Sequence, residues 1–176
     1  MSYSGSSSAL LDYAPTRRPQ LKSILVLVLF LLVSFAVAAF GTVTTIGSVD
    51  GWYASAAKVA WNPPNWIFGP MWTALYVMMA FAAWRLWRVR TTKPAARTLL
   101  VLWFVQLGLN CAWSFLFFGL RSPTSGLIDI VPLLGVLIWI GVRLWTVDRL
   151  VATLWIPYIL WVSFATALNT SIWLRN

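Results

Sequence analysis

The sequence predicts an all-α integral membrane protein, a bundle of five transmembrane helices with a Trp- and Pro-rich first extramembrane loop. Of its 176 residues, 60% are hydrophobic and only 10% are charged, and the mean hydropathy is +0.79. A soluble domain cannot expose so much apolar surface. The apolar runs also reach the length of about 20 residues that a helix needs to cross a bilayer.

Four of the predicted spans are uncharged runs, and the fourth span in chain order is an apolar run broken only by Asp129. Turn signals around Pro123 and at Asp148 delimit that run. The predicted spans cover residues 23–49, 59–84, 98–120, 123–142 and 150–174. Short loops join them, so residues 23–176 form one transmembrane domain behind a disordered, Ser-rich cytoplasmic tail over residues 1–22.

The positions of Lys and Arg predict how the bundle lies in the membrane. Most of them fall on the side of the N-terminal tail, namely Arg17, Arg18, Lys22, Arg85, Arg88, Arg90, Lys93, Arg97, Arg143 and Arg149. The other side has only Lys58, Arg121 and Arg175. By the positive-inside rule the N-terminus is cytoplasmic and the first loop lies outside.

The first apolar run has a second interpretation. Cations precede it and Ala36-Val37-Ala38 lies near its end, as in a cleavable signal peptide. The run continues to Ile46, however. That length exceeds a signal core and favours a retained transmembrane helix.

The composition excludes several kinds of chemistry. The chain has no histidine, one cysteine and no glutamate, so it lacks the parts of a metal cluster, a catalytic triad or a pair of hydrolytic carboxylates. We therefore predict no catalytic residue, no metal site and no required cofactor. The net charge of +9 is scattered around the spans, so nucleic acid is not an expected partner.

The third predicted span has one polar and aromatic stripe. Gln106, Asn110, Trp113 and Phe117 recur at helical spacing. Amides that faced lipid would stay unpaired, so this stripe should face the bundle interior. The same spacing marks an inward face on the second span, with Phe68, Trp72, Tyr76, Met79 and Ala83, and on the fifth, with Trp161, Ala165, Leu168 and Ile172 beside Tyr158 and Asn169.

Antiparallel threading places these groups in the outer half of the bundle, beneath the first loop. The arrangement predicts a cavity there, covered by residues 52–66. The predicted lid and its support comprise Trp52, Trp61 and Trp66, with Lys58, Pro63 and Pro64. The same pattern also fits interfacial aromatic belts and hydrogen bonds between helices, and the residues alone leave both interpretations open.

Other residues are assigned structural roles. Trp103, Trp139 and Trp145 are predicted to face lipid or belong to aromatic belts, and Trp84 and Trp87 to anchor the cytoplasmic side.

Asp129 lies within about two turns of its helix N-terminus, where the helix dipole stabilises a carboxylate. We expect it to cap that helix or to pair with Arg121 or Lys58. Gly108 and Ala112 form a small-xxx-small pair that suits a dimer contact.

At these residues the chain resembles the tryptophan-rich sensory protein (TspO) family, which is related to the mitochondrial translocator protein or peripheral benzodiazepine receptor. The matching segments are WYASAAKVAWNPPNWIFGPMWTALYVMM, then QLGLNCAWSFLFFGLR with Asp129 downstream, and finally PYILWVSFATALNTSIWLRN. They follow the family's order and cover almost everything from the first loop to the C-terminus.

The resemblance implies a bundle, commonly dimeric, that binds porphyrins, and in animal members cholesterol and synthetic ligands, in a cavity under the first loop. It also implies a bacterial cytoplasmic membrane as the location. It places ligand contacts at Trp52, Trp66, Asn110, Trp113, Trp161, Ala165 and Leu168. Two residues depart from the family pattern: Val59 replaces a loop proline, and Thr170 replaces the tyrosine of the cholesterol motif, so sterol binding through that motif is not expected.

The first functional hypothesis is a membrane receptor or sensor that binds porphyrin, with protoporphyrin as the expected ligand, and limits photo-oxidative damage. Trp and Tyr rings suit a tetrapyrrole face, and its propionates need cations or donors. The lack of histidine favours the metal-free ligand. The alternatives are a porphyrin or small-molecule transporter, although the chain lacks the repeated halves of many carriers, and a light-dependent porphyrin-degrading activity.

Overall fold

In a computed structural model, which describes residues 17–49 and 51–176, the chain forms a bundle of long helices. Five helices of this described part are long and apolar enough to span a membrane, which confirms the predicted fold class. The helices are α1 (Arg17–Val49), the short α2 (Trp52–Ser55), α3 (Phe68–Val89), α4 (Ala95–Ser114), α5 (Pro123–Val147) and α6 (Arg149–Arg175). The spans in chain order are therefore α1, α3, α4, α5 and α6.

The largest difference from the predicted spans lies at the start of α3. The second span was expected from residue 59, but residues 59–64 belong to the loop, and a 3₁₀ turn over Asn65–Ile67 leads into the helix. Pro64 has an extended backbone, with φ −57° and ψ 141°, and Pro63 is biased towards extended geometry because a proline follows it. The helix therefore begins after the two prolines, at Phe68, and continues to Val89.

Two other helix ends also differ from prediction. Helix α1 begins at Arg17, inside the predicted tail of residues 1–22, and the rest of that tail lies outside the described residues. Helix α5 continues to Val147 instead of ending at residue 142. Arg143 is therefore part of the helix rather than of a loop, and its guanidinium lies 5.2 Å from the centre of the Trp139 ring.

The spans pack in a ring whose order differs from their order in the chain. Helix α1 packs on α3 and α4, α5 packs on α4 and α6, and α6 closes the ring against α3. The order around the bundle is α1, α3, α6, α5, α4, and α3 also touches α4 across the middle. Helices α3, α4 and α6, which have the inward stripes predicted from sequence, are thus brought together.

The bundle has two unlike ends, which we call the loop end and the basic end. The loop end has residues 51–67, the end of α4 and the C-terminus of α6. The basic end has the connections at 90–94 and 148 and most of the cations.

Interactions at the basic end join three helices. Arg85 Nε donates to Asp148 Oδ2 over 2.7 Å, which ties α3 to the start of α6. Asp148 Oδ1 also accepts from the backbone N–H of Val151 and so caps α6. Lys93 Nζ donates to the carbonyl of Val147, at the end of α5.

Trp103 corrects one assignment made from sequence. It was expected to face lipid, yet it is only 1% exposed. Its Nε1 donates to the carbonyl of Met79 over 3.0 Å, and its ring lies edge-on to Phe30, with centroids 5.2 Å apart. Trp103 lies three residues before Gln106, so it continues the inward stripe of α4 by one further helical turn.

The half of the bundle nearer the basic end is a close-packed apolar core. Its buried side chains come from all five spans, and they include Phe30, Met79, Ala80, Leu86, Leu99, Leu137, Leu144, Val151 and Trp155. In the loop-end half, open space remains between α1, α3 and the end of α4.

Candidate functional site

A cavity of about 630 Å³ lies at the loop end, between α1, α3 and the end of α4. Helix α1 lines it with Phe35, Ala38, Ala39, Gly41, Thr42, Thr45, Ile46 and Val49. The remaining walls comprise Tyr53, Asn65, Phe68, Gly69, Trp72, Thr73, Tyr76, Trp113, Ser114 and Phe118. The cavity has the size and the mainly apolar lining of a small-molecule site.

The aromatic wall of the cavity lies opposite α1. Trp72 and Tyr76 are one helical turn apart on α3, and their ring centroids are 5.6 Å apart with the planes tilted by 32°. Trp113 comes from α4 and also lines the space. These three residues are the predicted ligand contacts that the structure brings together in this cavity.

The exposure of lining residues on α1 and α3 indicates that the cavity opens laterally between these helices, and we call this opening the lateral mouth. Ile46 and Phe35 are 66% and 39% exposed on the α1 side, and Gly69 and Thr73 are exposed on the α3 side. Both edges lie within membrane-spanning helices. In a bilayer, acyl chains would border this opening, so an apolar ligand can reach the cavity from the membrane.

Sequence reasoning missed the contribution of α1. That helix is apolar on every side and shows no stripe that marks an inward face. The available signal was its run of small and hydroxylated residues near the loop end, because Gly41, Thr42 and Thr45 leave room for a neighbour. Each threonine hydroxyl also bonds to a carbonyl of its own helix, Thr42 to Ala38 and Thr45 to Gly41.

A buried hydrogen-bond network closes the floor of the cavity. Tyr76 donates its hydroxyl to Asn110 Oδ1 over 2.7 Å, and Asn110 Nδ2 donates to the Tyr158 hydroxyl over 3.2 Å. Tyr158 donates in turn to Gln106 Oε1 over 2.8 Å, and Gln106 Nε2 lies 3.6 Å from Met79 Sδ. Asn110 and Gln106 thus join α3, α4 and α6, behind the cavity rather than along its surface.

Trp113 is fixed from two directions. Its Nε1 donates to Asn169 Oδ1 over 3.2 Å, and Asn169 Nδ2 donates to the carbonyl of Pro123 over 2.8 Å. Its ring stacks on Phe117, with centroids 5.2 Å apart and planes 15° from parallel. Gly126 makes this contact possible, because a Cβ there would lie 2.6 Å from Asn169 Oδ1.

The last turn of the third span is a π-helical turn, Phe115–Gly119. The N–H of Leu120 bonds to the carbonyl of Phe115 over 2.8 Å, and Arg121 then adopts a left-handed backbone with φ 53°. The wider turn lets two successive rings point inward: Phe117 is 3% exposed and Phe118 lines the cavity. Turns of this kind often occur at functional sites.

The first loop is held in place by its own polar contacts. Tyr53 donates its hydroxyl to Asn62 Oδ1 over 2.8 Å. Burial raises the pKa of this phenol above its usual value, an effect that the bond to Asn62 partly offsets. Lys58 Nζ donates to the carbonyls of Tyr53 and Ala54 and lies 4.7 Å from the centre of the Tyr53 ring. The side-chain amide of Asn176 accepts from the N–H of Ala57 through Oδ1 and donates to the Ala57 carbonyl through Nδ2.

The predicted lid residues occupy different places. Trp52 is half-buried and lies edge-on to Phe117, with centroids 5.6 Å apart. Trp61 is 51% exposed beside Phe164, and Trp66 is 73% exposed and does not line the cavity. The residues of the 52–66 segment that line the space are therefore Tyr53 and Asn65, and Trp52 packs on Phe117 beside it.

The predicted contacts on α6 also lie outside this cavity. Ala165 and Leu168 are buried. Trp161 packs behind the aromatic wall, with its ring 5.7 Å from Phe68 and 6.4 Å from Trp72. Its buried Nε1 has no hydrogen-bond partner among the described residues.

Asp129 does not have the partners expected from sequence. In the described part of the chain it forms no ion pair with Arg121 or Lys58, and Ser122, not Asp129, caps α5. The side chain is 9% exposed, and its Oδ2 has no partner among the described residues. The expectation was wrong because α5 turns Asp129 towards the bundle, while Lys58 bonds within the loop.

Comparisons with known proteins agree with this architecture. A model of the TspO/MBR family matches residues 27–174. The chain is 38% identical to tryptophan-rich protein TspO of Archaeoglobus fulgidus over 88% of this chain and 99% of that protein. It is 36% identical to protein CrtK of Rhodobacter capsulatus, over 85% and 94% of the two chains, and 36% identical to the translocator protein of Homo sapiens, over 71% and 75%.

The network behind the cavity makes a prediction about stability. Replacing Asn110 with Leu leaves the hydroxyl of Tyr76 without its acceptor inside the bundle. We expect the free energy of unfolding to fall by about 1–3 kcal/mol, the typical cost of a buried unpaired polar group. Unfolding of the purified protein in detergent, followed by circular dichroism, measures the change.

Ser114→Ala is the matched control, because Ser114 lies one turn away and its hydroxyl bonds only to its own helix, at the Asn110 carbonyl. An equal loss of stability in both variants would contradict a special role for the network.

Proposed function

Because this chain belongs to the TspO/MBR family of membrane proteins, we propose that it is a receptor or sensor that binds porphyrins and related flat apolar ligands under its first loop. The observation behind this proposal is the aromatic wall of Trp72, Tyr76 and Trp113 around a cavity of about 630 Å³. Indole and phenol rings offer apolar faces that suit the plane of a tetrapyrrole. Sequestering such a pigment would limit photo-oxidative damage.

Polar groups at the loop end suit the propionates of a porphyrin. Asn65 lines the cavity and is exposed, so its amide can donate to a carboxylate there. Lys58 adds positive charge to the loop above, although its ammonium already donates to two loop carbonyls. A ligand bound with its apolar plane inside and its carboxylates towards the loop would satisfy both kinds of group.

The closed floor favours a receptor over a carrier. Below Tyr76, the network through Asn110 and Tyr158 and the packed core fill the bundle. A transporter would have to break these buried contacts to pass a ligand to the basic end, whereas a receptor keeps them.

We also propose an orientation and an oligomeric state. The excess of cations at the basic end supports a cytoplasmic N-terminus and a first loop on the outer side of a bacterial cytoplasmic membrane. Helix α4 presents an exposed face with Val101, Phe104, Val105 and Gly108. A Cβ on Gly108 would meet no atom within 4 Å, which leaves space for a second copy of the chain in a homodimer.

Metal-free protoporphyrin tests the proposed site. Trp72→Ala removes the largest ring of the aromatic wall, and we expect the Kd to rise about tenfold, the equivalent of about 1.4 kcal/mol. Porphyrin absorbance measures binding in detergent without depending on tryptophan emission.

Two further variants locate the ligand. Trp139→Ala is the control, because Trp139 is 43% exposed on α5 and lines no part of the cavity. Trp161→Ala distinguishes binding in this cavity from binding at the α6 residues that the family resemblance implies, because Trp161 lies on α6 and does not line the cavity. A larger loss in Trp161→Ala than in Trp72→Ala would contradict the cavity assignment.

The lateral mouth predicts how fast the ligand binds from a membrane. Ala39→Trp places a bulky ring at the α1 edge of the opening, so we expect slower association of protoporphyrin with protein in liposomes, measured by stopped-flow. Val43→Trp adds the same ring on α1 at a residue that is 75% exposed and outside the cavity lining. Equal rates in the two variants would show that the mouth is not the route.

A second candidate function is light-dependent porphyrin breakdown. Trp52, Phe117 and Trp113 form a continuous run of rings from the loop to the cavity, with centroids 5.6 and 5.2 Å apart. An excited porphyrin could accept an electron from Trp113 and pass it to dioxygen, and the Trp113 radical could then take an electron from the porphyrin ring. The net change is a one-electron oxidation of the porphyrin with formation of superoxide. Porphyrin loss in light, absent in darkness and slowed at least severalfold in Trp113→Phe at saturating ligand, would favour this activity; equal loss in the two proteins would exclude this role of Trp113.

A further inference from the structure

A second cleft lies at the basic end, on the far side of the bundle from the aromatic cavity. It has a volume of about 570 Å³ and separates the first turns of α1 from the last turns of α3. Its lining consists of Gln20, Ser23, Ile24, Trp87, Arg88 and Arg90. The cleft therefore has polar and cationic groups on a membrane-spanning bundle where the spans end.

The two arginines of the cleft are held over tryptophan rings. The guanidinium of Arg88 lies 4.9 Å from the centre of the Trp84 ring, and that of Arg90 lies 4.1 Å from the centre of the Trp87 ring. Arg90 Nη1 also donates to the carbonyl of Trp87. A guanidinium has five N–H groups, so most donors of each arginine remain available. Stacking restricts their motion and lowers the entropy lost when an anion binds.

The positive charge of the cleft is not neutralised within the described part of the chain. Among the described residues an ion pair joins Arg85 to Asp148, which leaves this carboxylate bound to an arginine that does not line the cleft. Arg88 and Arg90 have no carboxylate partner among the described residues. Two guanidiniums that line one cleft without a counter-ion suit phosphate oxygens, which a guanidinium can bind in a bidentate manner.

The apolar edge of the cleft indicates which phosphate compound fits. Ile24 lines the cleft and is 57% exposed, and Leu21 and Leu25 beside it are 59% and 60% exposed. Trp84 Nε1 donates to the carbonyl and hydroxyl of Ser23, which fixes α1 against α3 at this level. A free phosphate would use only the cationic side, whereas a phospholipid would use both sides at once.

We propose that this cleft binds the phosphate headgroup of an anionic membrane phospholipid. Arg88 and Arg90 contact the phosphate oxygens, and the amide of Gln20 lies on the opposite wall. The acyl chains lie along the exposed side chains of Ile24 and Leu25 on α1. The bound lipid would bridge the start of α1 to the end of α3.

Spin-labelled phosphatidylglycerol and phosphatidylcholine in liposomes test this proposal, because electron paramagnetic resonance separates protein-bound from free lipid. We expect the intact protein to prefer phosphatidylglycerol. Arg88→Gln with Arg90→Gln should lower that preference about fivefold or more, because the bidentate contacts to the phosphate are lost together with the charge. The control, Arg143→Gln with Arg149→Gln, removes the same charge near the same end and should retain most of the preference.

Three results would overturn the proposal. An equal loss in the control pair would indicate diffuse attraction to the basic end, and an unchanged preference in Arg88→Gln with Arg90→Gln would exclude the cleft. Displacement of the labelled lipid by millimolar inorganic phosphate, but not by chloride of equal ionic strength, would assign the cleft to a soluble anion. Should the double variant not fold, Arg88→Lys with Arg90→Lys keeps the charge but loses bidentate contact, and a lowered preference is again expected.

Discussion

The structure depends on one constraint: a polar group inside the bilayer must find its partner within the protein. Asn110 and Gln106 satisfy this constraint by bonding to Tyr76 on α3 and to Tyr158 on α6. These bonds determine which helices meet in the middle of the bundle, and they separate a close-packed basic half from a loop-end half with open space. The aromatic cavity lies on the loop-end side of this network. Tyr76 connects the two, since it belongs both to the network and to the cavity wall.

Much of this arrangement could be predicted from the sequence because polar residues in an apolar span reveal its inward face. The stripe of α4, to which Trp113 belongs, was visible for that reason, and Trp72 and Tyr76 were found by the same helical spacing within α3. Helix α1 has no such marker, so its wall of the cavity could not be recognised. Trp103 was misassigned because an indole occurs both in lipid-facing belts and in cores. Its spacing of three residues from Gln106 was an indication of the inward face, and its bond to the Met79 carbonyl confirms that placement.

Tryptophan serves three different physical roles in this chain. Trp72 and Trp113 present ring faces to open space, while Trp103 and Trp155 donate to buried carbonyls of neighbouring helices. At the other end, Trp84 and Trp87 hold guanidiniums over their rings. Composition alone cannot separate these roles, because the side chain is the same and only its depth and neighbours differ. The two clefts at opposite ends of the bundle thus contain the same residue type, although the ligands we propose for them, an apolar plane and an anion, differ in chemistry.

The ring order of the helices has a consequence for biosynthesis. Gln106 enters the membrane with α4, but its acceptor oxygen bonds to Tyr158, which follows 52 residues later. At a synthesis rate of about 5–20 residues per second, this interval lasts roughly 3–10 s. During that time the amides of α4 face an incomplete bundle, and α6 must then insert between α3 and α5 to reach them. Final assembly therefore waits for the last helix. A chain that stalls before Tyr158 leaves Gln106 Oε1 and Asn110 Nδ2 without their partner in the membrane, a feature by which quality-control proteases could distinguish it from the finished protein.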